Sequence, residues 1–265
     1  MYKPVLKYPG SKWGIAKKII SYFPEHHSYL EPYFGSGACL FNKNPSAIET
    51  VNDLDNRVYL LFKMLREQPE KLARMVAETP FCRWEYEQTF RQVPQTDVET
   101  VRQFLVQCWQ GHGFRVNGHK VGWKNDVQGR EAAYAVNNWN ALPQWIMNAA
   151  QRMKQVQITN EPAEELIKRF NYPNVLIYAD PPYLLETRSG KQYRHEMADN
   201  EHEQLLLLLL QHKGPVILSG YRSRLYDDYL TGWHSIDIPG RAEGGAIRTE
   251  TIWMNFKPCE QLEMW

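Results

Sequence analysis

The stretch SYLEPYFGSGACLF, residues 28–41, decides how this chain is read. It reads as a short strand, a turn containing Gly35 and Gly37, and the start of a helix. Glycines at such a turn let the backbone approach a ligand, and the next helix offers its N-terminus. A plain tight turn would use the same residues, so the neighbours must decide. The third glycine of the dinucleotide-binding fingerprint is missing.

Upstream, SKWGIAKKIISYF (11–23) has helical spacing at Ile15, Ile19, Ile20 and Phe23, and Pro24 ends it. Downstream, IETVNDLD (48–55) reads as a second strand ending in acids, and DNRVYLLFKMLREQ (55–68) as a helix. This β-α-β-α rhythm predicts a mostly parallel sheet with helices on its faces. An acid such as Asp53 at the end of the second strand suits a ribose and also suits a helix N-cap, and the glycine turn before it favours the ribose.

The rhythm lapses over about residues 60–155, which are rich in helical stretches, Trp, Gln and Asn. There, GFRVNGHKVGW (113–123) holds Asn117-Gly118 between two strand-like runs, the pattern of a β-hairpin. The rhythm returns with QVQIT (155–159), AEELIKRF (163–170), NVLIYADPPY (174–183), a leucine-rich helix and GPVILSGY (214–221). HSIDIPG (234–240) and TETIWMNF (249–256) read as two antiparallel strands. The expected organisation is an α/β domain of residues 1–59 and 156–265, interrupted by a mainly helical module of residues 60–155.

The 265 residues are 43% hydrophobic, enough for a sizeable core, and the net charge is only +1. Any nucleic-acid surface must therefore be a local patch. Cys39, Cys82, Cys108 and Cys259 are scattered without metal-ligand spacing, which suggests reduced thiols and no metal. The six leucines 205–210 fall far short of the roughly 20 apolar residues a membrane span needs. The expectation is a soluble, cytoplasmic protein. A monomer is compatible with the sequence, which does not fix the oligomeric state.

At Asp180, Pro181, Pro182 and Tyr183 an apolar strand ends where open α/β sheets bind ligands. The prolines fix the turn and remove backbone donors, so the site offers acceptors: a carboxylate and exposed carbonyls. Acceptors at a rigid geometry can grip an NH₂ group by its hydrogens, and the Tyr183 ring can stack on a flat heterocycle. Two acceptors would localise the lone pair of an aromatic amine and stabilise the charge it develops in attacking a methyl group. A base in a duplex must be flipped out to reach such a site.

Taken together, these segments resemble the Dam-like DNA adenine-N6 methyltransferases, in the order glycine motif, target-recognition insert, Asp-Pro-Pro-Tyr. The resemblance rests on KYPGSKW (7–13), YLEPYFGSGA (29–38), VNDLDNRVY (51–59) and IYADPPY (177–183). It implies a Rossmann-like fold, S-adenosylmethionine as cofactor, no metal, and duplex DNA as partner in a bacterial or phage-infected cell. It assigns Tyr8, Lys12, Gly35, Gly37, Asp53 and Asp180 to the cofactor, with Glu161 in a segment that departs from the family pattern. Asp180 and Pro181 would hold the target amine, Pro182 would fix the turn, and Tyr183 would stack on the base. Candidate DNA contacts are Arg115, Asn117, His119, Lys120, Lys124 and Arg130 in the insert, and Arg188, Lys191 and Arg194 after the catalytic motif. Arg222 and Arg224 form a third basic group. Rival readings keep the chemistry on cytosine-N4, RNA or a protein amide, or assign a nicotinamide dehydrogenase or a non-catalytic DNA-binding protein.

Overall fold

The computed structural model describes residues 2–113, 116–127, 133–188, 190–241 and 247–258. Its elements are α1 (Ala16–Ile20), β1 (Ser28–Glu31), α2 (Ala38–Asn42), β2 (Ile48–Asn52), α3 (Asn56–Glu67), α4 (Pro69–Glu78) and α5 (Arg83–Gln88). There follow α6 (Asp97–Gln110), α7 (Tyr134–Met153), β3 (Val156–Thr159), α8 (Ala163–Arg169), β4 (Val175–Ala179) and α9 (Asp199–Leu210). The chain continues through β5 (Val216–Gly220), α10 (Arg224–Tyr229), β6 (His234–Arg241) and β7 (Ile247–Met254).

The strands form one seven-stranded sheet in the order β3-β2-β1-β4-β5-β7-β6. Pairing is parallel from β3 to β5, while β7 runs antiparallel between β5 and β6. Pro239 sits on edge strand β6, where its missing N–H costs least. The chain leaves β1 toward β2 and β3, then crosses back to β4 on the other side of β1. This reversal opens a crevice at the carboxyl ends of β1 and β4.

Alternation along β1 feeds two cores. Leu30 joins Ile177, Leu206, Leu209 and Leu218 on one face, whereas Tyr29 joins Val51, Phe62, Trp109, Trp139 and Ile146 on the other. The second cluster is continuous from the sheet into α3, α6 and α7, so the helical stretch 60–155 completes the core on that face. The domain boundary expected at residues 59 and 60 falls inside α3. The leucine run of α9 is amphipathic rather than wholly sunken: Leu205, Leu206 and Leu209 are buried, Leu207 and Leu210 exposed.

Two expectations need correction. The first helix is five residues, not thirteen, because the segment before Ala16 turns and sends Lys12 into the interior. The predicted hairpin has no strands among the described residues. It keeps one antiparallel bridge, Gly111 to Trp123, flanked by His112 N to Gly122 O and Lys124 N to Gln110 O. Its tip bonds elsewhere: Val116 N donates to Gln192 O, and the Asn117 amide donates to Lys191 O. Tertiary partners have replaced the ladder that the local pattern predicts.

One buried ion cluster ties sheet to helices. Glu49 of β2 accepts from both Arg152 Nη nitrogens on α7 and from Lys43, and all three side chains are buried. Burial alone would raise the Glu49 pKa, but the Arg152 and Lys43 hydrogen bonds outweigh it and hold the carboxyl below its usual range. Removing one member of such a cluster strands the others without counter-charge. Glu49→Ala is therefore expected to cost about 3–5 kcal/mol of stability, read as a shifted urea midpoint.

Candidate active site

The crevice at the β1–β4 reversal contains a cavity of about 320 Å³. Its walls come from the segment before α1, the turns after β1 and β2, the loop before α8, and the loop after β4. Seven acidic residues line it and one lysine faces them, Lys12.

The turn after β1 has a specific construction. Gly35 and Gly37 both have left-handed φ, +49° and +68°. A Cβ on Gly37 would lie 2.5 Å from the Phe34 ring, and one on Gly35 would lie 3.0 Å from the Tyr8 ring. The Gly35 N–H donates to Asp53 Oδ2 at 2.8 Å, and the Asp55 N–H donates to Asp53 Oδ1 at 2.9 Å. The N-cap role falls to Asp55, whose carboxylate accepts from Arg57 N at the start of α3. Asp53 is thereby left to face the cavity. Burial pushes its pKa up to about 7, against the lowering effect of the Gly35 and Asp55 N–H groups.

Across the cavity, Asp180 directly follows β4. Its Oδ2 pairs with Lys12 Nζ at 2.8 Å, and its Oδ1 accepts from Tyr183 Oη at 3.0 Å. Burial raises the Asp180 pKa and Lys12 opposes the rise. Lys12 also donates to Gly10 O at 2.6 Å and lies 3.5 Å from Glu250 Oε1. Burial would lower the Lys12 pKa, but Asp180 and Glu250 hold it above its usual range. The Tyr183 ring packs edge-on against Tyr221 at 4.8 Å, with Lys12 Nζ 4.9 Å from its centre. Pro182 lines the cavity, whereas Pro181 and Tyr183 are not among its lining residues.

A family model for D12 class N6 adenine-specific DNA methyltransferases matches residues 8–238. The chain belongs to that family. It is also 22% identical over 220 residues to a modification methylase, StsI, of Streptococcus sanguinis. That match covers 78% of this chain and 32% of the relative, so the chain spans about a third of the length of that curated protein. Among solved structures, a precorrin-8w decarboxylase of Methanobacterium thermoautotrophicum aligns at TM-score 0.38 and 8% identity, over 96% of this chain and 94% of that one. So weak a likeness has no bearing on fold or function here.

Within this family member, the cavity gathers Tyr8, Lys12, Gly35, Asp53 and Asp180 of the sequence candidates. Gly37 acts one step behind, as the residue that starts α2. Glu161 is not among the lining residues. Its carboxylate turns outward to Arg169, with a closest approach of 2.5 Å, and its neighbour Glu164 lines the cavity instead.

The basic candidates divide. Arg188 is turned inward: its Nε donates to Tyr183 O at 2.7 Å and its guanidinium pairs with Glu196. Lys124 is buried. Neither offers a free surface cation, and Arg188 braces the loop after β4. His119, Lys120, Lys191 and Arg194 are exposed, and the Val116–Gln192 and Asn117–Lys191 bonds bring their two loops together. Arg57 Nη2 caps this junction by donating to Val116 O at 2.6 Å. Arg222 pairs with Asp237 and Asp227, and Arg224 with Asp228. Arg115 and Arg130 lie outside the described residues.

Two buried groups, Glu31 and Glu250, and the half-buried Tyr193 lie near the site outside the sequence candidates. Glu31, the last residue of β1, accepts from Tyr29 Oη, and burial pushes its pKa up to about 8. Tyr193 packs on Tyr8 at 5.8 Å. Glu250 reaches the site from the antiparallel strand β7, whose early residues lie at the carboxyl end of the parallel strands. A short-range motif could not have found it, because sheet pairing places it there. Among the described residues no group of His, Cys, Asp and Glu is arranged to hold a metal, and no helix is long and apolar enough to cross a membrane.

Proposed function

We propose that this protein transfers a methyl group from S-adenosylmethionine to the N6 amine of an adenine flipped out of duplex DNA. The observation that carries the reading is that Asp180 shares one cavity with Asp53 and Gly35, across the β1–β4 reversal.

The residues present fit the cofactor. An acid-rich cavity suits a ligand carrying sulfonium and ammonium charges, and repels the pyrophosphate of a nicotinamide dinucleotide. Asp53, its two oxygens already aligned by backbone N–H groups, would accept the ribose hydroxyls. Gly35 would let the cofactor approach the backbone, Gly37 would hold the turn, and Tyr8 and Lys12 would border the cofactor from the N-terminal segment. Glu161 would contribute only by tying the loop before α8 to that helix, which carries Glu164, since its carboxylate faces Arg169. When bound, S-adenosylmethionine supplies an electrophilic methyl group.

The chain's own residues would then work on the amine. Asp180 and the Pro181 carbonyl would accept its two hydrogens, drawing nitrogen toward tetrahedral geometry and freeing its lone pair for attack. The same acceptors would stabilise the positive charge that develops on nitrogen. Pro182 would keep the loop rigid, and Tyr183 would stack on the extruded base. Residues 1–59 and 156–265 would form the catalytic unit, with 60–155 supplying the target-reading surface. There, His119 and Lys120 would meet the duplex beside Lys191 and Arg194, with Asn117 setting the tip. Arg115 and Arg130 belong to the same proposed surface. Lys124 and Arg188 would support it from beneath rather than touch phosphate.

Incubation of the pure protein with labelled S-adenosylmethionine and mixed-sequence duplex DNA tests the reading. The expected product is labelled N6-methyladenine, and Asp180→Ala should lower transfer by about 10³-fold or more while cofactor and DNA still bind. Label in cytosine, or unimpaired transfer by Asp180→Ala, would refute it.

The Asp53 assignment carries a pH signature. An ionised Asp53 accepts from both ribose hydroxyls through charge-assisted bonds, whereas the protonated acid is a weaker acceptor, and burial pushes the Asp53 pKa up to about 7. Cofactor binding should therefore tighten as pH rises from 6 to 8, by up to roughly tenfold. Calorimetry on Asp53→Asn should show weaker binding with that pH dependence removed. A slope that persists in Asp53→Asn would assign it to another carboxylate.

A further inference from the structure

Glu250 lies beyond residues 8–238 matched by the family, on a strand that no catalytic motif includes. Its side chain is buried, and its Oε1 has no hydrogen bond among the described residues, although Lys12 Nζ stands only 3.5 Å away. A buried acceptor left unsatisfied is costly, so an available donor should be drawn to it. Lys12 carries three donors on a flexible stem. One is fixed by Gly10 O, and Asp180 holds the ammonium at 2.8 Å. A shift of less than about 1 Å would turn the Glu250 approach into a normal charged hydrogen bond.

The Asp180 carboxylate faces conflicting demands. In the structure both its oxygens are engaged, Oδ2 by Lys12 and Oδ1 by Tyr183. Under the function proposed above, on which this inference rests, it must also accept the hydrogens of an amine that becomes positive as it attacks. An ammonium on the same carboxylate competes for its lone pairs and repels the developing charge.

We propose that Glu250 is a positioning residue for methyl transfer: it draws the Lys12 ammonium off Asp180 as the target amine arrives, freeing Asp180 Oδ2 to accept. Lys12 keeps its anchor on Gly10 O and exchanges one carboxylate for the other. No proton changes hands, and the buried charges stay balanced throughout the exchange.

Steady-state kinetics of wild type and Glu250→Gln on duplex DNA test this. With Lys12 left on Asp180, kcat should fall about tenfold or more while KM for DNA and for cofactor stay within about twofold. Glu250→Asp, which keeps the charge, should recover part of the loss. An unchanged kcat, or a loss expressed mainly in KM, would overturn the proposal. Should wild type itself transfer no methyl to DNA, the functional reading falls first. A crystal structure of the wild-type protein with S-adenosylhomocysteine and target duplex gives a second readout that needs no variant to fold. Lys12 Nζ closer to Glu250 than to Asp180 supports the exchange, and Lys12 still on Asp180 overturns it.

Discussion

Parallel pairing of β1 with β2 on one side and β4 on the other is the constraint on which the site depends. Ser28 lies level with both Ile48 and Val175, so all three strands end at nearly the same height. Glu31, Asn52 and Ala179 are the last residues of these strands, and the Gly35 turn, Asp53 and Asp180 follow them. Residues far apart in the chain thus meet at one edge without any direct bond between Asp53 and Asp180. The Glu49–Arg152–Lys43 cluster then fixes β2 against α7, and the Gly35–Asp53 bond fixes the two turns to each other.

The cavity concentrates acids in a low-dielectric crevice, and the cost shows in raised carboxyl pKa values at Glu31, Asp53 and Asp180. Such a site is poised for a cationic ligand, which would relieve the repulsion. Lys12 is the counter-charge of the free form. Its place between Asp180 and Glu250 connects the N-terminal segment, the catalytic loop and the final strand pair in one electrostatic unit.

Much of this was legible in the sequence, for physical reasons. Glycine at positive φ and acids at strand ends are local requirements, so Gly35, Gly37, Asp53 and Asp180 could be read from short stretches. The hairpin could not, because Val116 N and the Asn117 amide donate to the loop after β4. Arg188 and Lys124 look like surface cations until burial is known; a basic residue near an acid such as Glu196 has a structural alternative that sequence spacing does not reveal. Glu161 lies before α8 and pairs with Arg169, whereas Glu164 in the first turn of that helix lines the cavity, a difference that short-range sequence does not show. Glu250 required the whole antiparallel strand order.

In the proposed function, one cavity holds the cofactor with its reactive end at Asp180. The decisive experiment is a crystal structure of the protein with S-adenosylhomocysteine. The ribose hydroxyls should lie on Asp53 and the sulfur should face Asp180 across the β1–β4 crevice. A ribose away from Asp53, or a sulfur turned from Asp180, would contradict it.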